Sequence, residues 1–104
     1  MPEVIYHRLI QKDLKSAITH YDEEGGSKLG DRFFDEVEVA VTQIEKNPTG
    51  HHFSDGGLRR VALMSFPYHF LYEADSSIIW IAVLRHDKRH PNFGLNRKND
   101  SMRR

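Results

Sequence analysis

The segment His86-Asp-Lys-Arg-His-Pro-Asn-Phe93 places two imidazoles and two cations within five positions, then a proline and an aromatic; Arg97 follows shortly after. Cations grouped in this way can neutralise phosphates or the acidic groups of a protein target. An imidazole titrates close to neutrality and can move a proton. General acid–base cleavage of RNA needs such a group beside cations that stabilise the developing phosphorane. His86 meets the first need, but the sequence identifies no second acid or base. The plainer alternative is a solvated strand end in which Arg89 pairs with a local carboxylate such as Asp87. Arg59 and Arg60 form a second basic pair. Consecutive residues of a strand point to opposite faces, so at most one of them can join the cluster.

The seven histidines raise the question of a metal. His86 and His90 have ligand spacing only on a helix, and Pro91 disfavours a helix there. His51 and His52 are adjacent and point apart in extended chain. A zinc site needs three or four convergent ligands, so no metal and no cofactor is expected. The aromatics Phe66, Tyr68, Phe70 and Tyr72 alternate along one strand face. They could stack nucleic-acid bases. Apolar helices need a surface to pack on, so the stripe is expected to be core.

A chain of 104 residues fits one domain, and 38% apolar with 29% charged residues is globular composition. Without cysteine, disulfides and thiolate zinc sites are excluded. No apolar run is long enough to span a bilayer, and the start lacks the basic and apolar regions of a signal peptide. A cytoplasmic protein without membrane contact is expected. The net charge of zero conceals a polarity. From Asp22 to Asp55 nine acidic residues meet only Lys28, Arg32 and Lys46, whereas from Arg85 to Arg104 seven bases meet only Asp87 and Asp100. The two regions face different partners or each other.

Glu3–His7 reads as a strand, being short, β-branched and aromatic. Ile10, Leu14, Ala17, Ile18 and Tyr21 recur at helical spacing up to Gly25-Gly26, where glycine suits a helix end. Ser27 is an expected N-cap for a second helix with the stripe Leu29, Phe33, Val37, Ala40, Val41 and Ile44. Pro48 closes it. A two- or three-residue break makes the pair a helical hairpin. A loop, Thr49 to Gly57, follows, and then the period drops to two. Strands are expected over Leu58–Met64, Phe66–Glu73 and Ile78–Leu84, with Asp75-Ser76-Ser77 as a hairpin turn. The last three strands must be antiparallel neighbours. The third is apolar on both faces and should be covered on both. The expected fold is α+β, an N-terminal strand and helical hairpin packed on a small antiparallel sheet in the order β-α-α-β-β-β.

In that order, several segments together resemble the RelE/ParE superfamily of type II toxin–antitoxin toxins. They are Asp13-Leu14 with Ala17 and Tyr21, Phe33, Asn47-Pro48, Arg59-Arg60, Phe66-Pro67-Tyr68 with Tyr72, and His86-x-x-Arg89-x-Pro91-x-Phe93-x-x-x-Arg97. The ending is more similar to the ParE (plasmid stabilisation) branch. The resemblance covers roughly residues 3 to 97, so residues 1–97 are expected as one toxin domain and 98–104 as a mobile basic tail. It implies a growth inhibitor that binds DNA gyrase and is neutralised by a cognate antitoxin, as a homodimer or a toxin–antitoxin hetero-oligomer. The family pattern selects Arg60 from the pair. Arg60, His86, Lys88, Arg89, Phe93 and Arg97 are the expected target-binding residues. A RelE-like alternative is a ribosome-dependent mRNA endonuclease using Arg60, His86 and Arg89. RelE-type nucleases often carry a C-terminal tyrosine, and none follows Tyr72. Gly94 stands where the ParE-like pattern often has tryptophan, so a further alternative is a non-toxic domain that keeps the fold.

Overall fold

The structure is a computed structural model, and it describes residues 2–100. Strand β1 (Glu3–Tyr6) leads into helix α1 (Ile10–Gly25) and helix α2 (Ser27–Lys46), followed by β2 (Arg59–Ala62), β3 (Tyr68–Ala74) and β4 (Ile78–His86). Short 3-10 helices lie at Asp55–Gly57 and Leu95–Asp100. The strands form one sheet in the order β1-β4-β3-β2. As expected, β2, β3 and β4 are antiparallel neighbours. β1 pairs parallel with β4 from Glu3↔Ile78 to Tyr6↔Ile81, which makes the sheet mixed. Among the described residues, no helix is long and apolar enough to cross a membrane.

The break between the helices is shorter than expected. Ser27 is the first residue of α2, and Gly26 alone links the two helices, at φ +82°. Only glycine takes that conformation without cost. The α2 stripe buries Phe33, Val37, Ala40 and Ile44 against Ile79, Ile81 and Leu84 of β4 and Phe70 and Tyr72 of β3. Complete burial of a side chain such as Phe33 stabilises the fold by about 1.5–3 kcal/mol. The aromatic stripe belongs to this core. Tyr21 stacks on Phe33 at 5.2 Å and meets Phe66 edge-on at 4.7 Å. The buried Tyr72 hydroxyl, whose pKa desolvation pushes up to about 12, donates to the Pro48 carbonyl at 2.7 Å and ties the end of α2 to the sheet.

The other face of the sheet has its own apolar cluster, Leu58, Leu71, Trp80, Ala82 and Val83, with Phe93 and Leu95 packed on it. The C-terminal segment therefore covers the second face of β4. Two local features let it do so. Between Leu71 and Tyr72 the β3–β4 register skips Ala82, so Ala82 and Val83 both join the rear cluster. Gly94 is buried at φ +83°, and a Cβ there would lie 2.7 Å from a Val83 methyl. Tryptophan cannot occupy this position without displacing β4, so the glycine is a packing requirement of this chain. Gly94→Ala is expected to destabilise the protein by about 1–3 kcal/mol, from left-handed strain plus the Val83 clash. Chemical denaturation would show it as a lower midpoint, and an unchanged midpoint would contradict the packing.

Residues 98–100 continue the terminal 3-10 helix. Lys98 donates to the Gly56 carbonyl at 3.1 Å, and Asp100 lies 2.8 Å from His7 Nε2. The rest of the expected tail, 101–104, lies outside the described residues.

Candidate target-binding site

β1 ends at Tyr6, so beyond Ile81 the adjoining edge of β4 has no strand partner among the described residues. Asp13, in the first turn of α1, fills the gap. Its carboxylate accepts from the Leu84 backbone N–H at 3.2 Å and from both terminal nitrogens of Arg97, at 2.6 and 3.2 Å. Arg97 also donates to the Ala82 carbonyl at 3.1 Å. The pair is dry, its side chains being 8% and 7% exposed. Arg97 was expected on the binding surface, but its charge is neutralised beneath it. Its role is to clamp the C-terminal segment to α1 and β4.

Above this pair runs a groove of about 390 Å³ between α1 and the end of β4. Lys12 and Ser16 line the helix side; Tyr68, His86, Arg89 and Phe93 line the other. His86 stands directly opposite Tyr68 in the ladder, and their rings meet edge-on at 5.2 Å. The chain then turns: the Arg89 N–H donates to the His86 carbonyl and the Phe93 N–H to that of His90. The Lys88 N–H donates to His86 Nδ1 at 3.0 Å. A neutral His86 therefore carries its proton on Nε2. The exposed Arg89 guanidinium lies over the Phe93 ring, 4.0 Å from its centre. Lys88 is exposed on the same turn. Burial raises the Tyr68 pKa, and the neighbouring Arg89 charge opposes that shift.

Four of the expected residues, His86, Lys88, Arg89 and Phe93, thus come together on one turn. Arg60 does not join them. It pairs with Leu71 in the ladder, and Leu71 belongs to the rear cluster, whereas His86 pairs with Tyr68 on the helix face. Arg60 instead reaches Asp87 at 3.3 Å. Asp87 is therefore engaged from the rear of the sheet. Lys12, Ser16, Tyr68 and the role of Asp13 escaped the sequence reading. Tyr68 belonged to a stripe that periodicity assigns wholly to the core. In fact Tyr68 is the one member of the stripe that is only half-buried, while Phe66, Phe70 and Tyr72 are buried.

The groove offers ammonium and guanidinium cations, an imidazole N–H, a phenol and an aromatic face. Its one carboxylate, Asp13, is already neutralised by Arg97. Such a surface recognises anionic groups. The family described as ParE toxin of type II toxin-antitoxin system, parDE, matches residues 4–91. The chain belongs to the ParE toxin family. Among solved structures, the fold is shared with a chain of "Chromosomal ParDE TA system from P. aeruginosa". That match has a TM-score of 0.67 and 17% identity and covers 83% of this chain and 96% of the other. No curated protein matches the sequence. The segment matched to the ParE family ends at Pro91, so Phe93, Gly94 and Arg97, which seat the turn, lie beyond it.

Proposed function

We propose that this ParE-family toxin arrests growth by binding DNA gyrase through the turn bearing His86, Lys88, Arg89 and Phe93, and that a cognate antitoxin neutralises it. The observation that carries this reading is the groove itself: exposed cations and an aromatic on one turn, above a neutralised ion pair. Complementary charge speeds and orients association with an acidic protein surface. The antitoxin reading draws support from a second groove. Between β1, α1 and α2 a cleft of about 660 Å³ is lined by Leu14, Val41 and Phe70, with Tyr6 and Phe34 47% and 39% exposed at its margin. An amphipathic segment would cover that apolar lining.

Purified protein tests the first part directly. Inhibition of gyrase supercoiling, with filamentous cells on induced expression, is the expected result. Co-expression of a small antitoxin encoded beside the toxin should restore growth. Supercoiling that proceeds normally at saturating protein would overturn the gyrase assignment.

One observation favours the RelE-like alternative. Tyr68 supplies from β3 the phenol that the C-terminal segment lacks, and it stands against His86 and near Arg89. An mRNA endonuclease could use the three to position and protonate a scissile phosphate. Arg60, earlier expected in that set, is on the wrong face. Transcripts cleaved within translated frames on induction, and left intact by Tyr68→Phe, would establish this reading over gyrase binding.

A further inference from the structure

Behind the groove, on the rear face of the sheet, lies a chain of polar groups that the proposed contact does not use. His69 is 1% exposed and stands opposite Arg85 in the β3–β4 ladder. The Arg85 Nε–H donates to His69 Nε2 at 2.9 Å. Arginine is only ever a donor, so Nε2 is the bare nitrogen of the ring. The ring proton is on Nδ1, which donates to Asp87 at 2.8 Å. Hydrogen-bond stoichiometry thus requires a neutral imidazole. Arg85 donates further to the carbonyl oxygens of Pro91 and Phe93, at 2.8 and 2.9 Å, and to Asp55 at 2.5 Å. Those two carbonyls belong to the turn that carries Arg89 and Phe93.

We infer that His69 and Arg85 are positioning residues for the 86–93 turn, and that protonation of His69 unseats it. A proton on Nε2 would face the Nε–H of Arg85, donor against donor and charge against charge. The Arg85 Nε–H would lose its acceptor, and the repulsion would turn the guanidinium away from the orientation in which it holds Pro91 and Phe93. The groups around the ring act in both directions. Asp87, from the turn, favours the imidazolium; Arg85 on β4 and Arg60 on β2 oppose it. Arg60 also shares the Asp87 oxygen that His69 uses, at 3.3 Å. Asp55 is held on the far side of Arg85. Burial is the largest influence and lowers the His69 pKa below its ordinary 6.5. The seat is therefore complete above that value and is lost as the pH falls through the lower, folded-state one. His69 is too buried to touch a target, so its effect reaches the groove only through the groups it binds, Arg85 and Asp87.

This deepens the reading of the turn as a contact surface, but its test needs no target. Purified full-length protein is followed by NMR from about pH 8 to about pH 5, the range over which imidazoles titrate. His69 should hold the Nδ1–H tautomer near neutrality. The amide signals of Arg89 and Phe93 should then shift with the same midpoint as His69, below 6.5. His69→Gln supplies a neutral donor and acceptor that do not titrate. It should keep the near-neutral position of the turn and abolish the acid shift. Turn amides that follow His86 or His90, or that stay still through the His69 midpoint, would overturn the inference. A persistent acid shift in His69→Gln would do the same. If that variant does not fold, the wild-type midpoints decide alone.

Discussion

Arg97→Ala is expected to lower the unfolding free energy by about 3–5 kcal/mol, because it strands the buried Asp13 carboxylate. The Asp13 side chain is 7% exposed and, among the described residues, would keep only the Leu84 N–H as a partner. The Ala82 carbonyl would also lose its donor. Domains of this size are stable by about 5–15 kcal/mol, so the loss is a large share of the whole. Urea titration should show a lower midpoint with an unchanged slope. Asp13→Leu with Arg97→Met should recover most of the loss, since apolar replacement of a whole buried pair is often neutral. If Arg97 met the target directly, alanine would instead leave the midpoint where it is and reduce activity alone.

Arg89→Ala is expected to abolish growth arrest while leaving the protein folded. The side chain is exposed, and among the described residues it stacks on the Phe93 face. An exposed cation–π contact contributes about 0.5–1 kcal/mol, so denaturation should barely change. Target affinity should fall about 30-fold, the loss that corresponds to about 2 kcal/mol at an arginine hot spot. Arg89→Lys keeps the charge but not the planar stacking and should fall between the two. Titration of the immobilised target measures the difference. Undiminished toxicity of the alanine variant would remove the turn from the contact surface.

The order of elements was legible because the hydrophobic period changes from 3.6 to 2 after Gly57 and the breaks fall at Gly25-Gly26 and Pro48. The partner of β1 was not. Its contact with β4 joins residues at opposite ends of the chain, and no local pattern encodes such a pairing. The charged residues divide in the same way. Arg89 looked like a surface cation and is one. Arg97 and Arg85 read identically in sequence, yet both are buried, because Asp13 and Asp55 approach them from distant segments. The charge polarity of the chain is partly explained by that second pair, in which the acidic and basic regions meet. His69 left one faint sign: it is the polar residue between Tyr68 and Phe70, on the face that the apolar stripe avoids. Ala82 shows where strict alternation misleads, since the register skip keeps it on the same face as Val83.

The parallel pairing of β1 with β4 sets the order of events during synthesis. Glu3–Tyr6 is made more than seventy residues before its partner, and Asp13 must wait even longer for Arg97. The helical hairpin is local and can form early; the strand closure is non-local and comes late. Neither the parallel edge of the sheet nor the Asp13–Arg97 clamp can therefore form until β4 and Arg97 have been made.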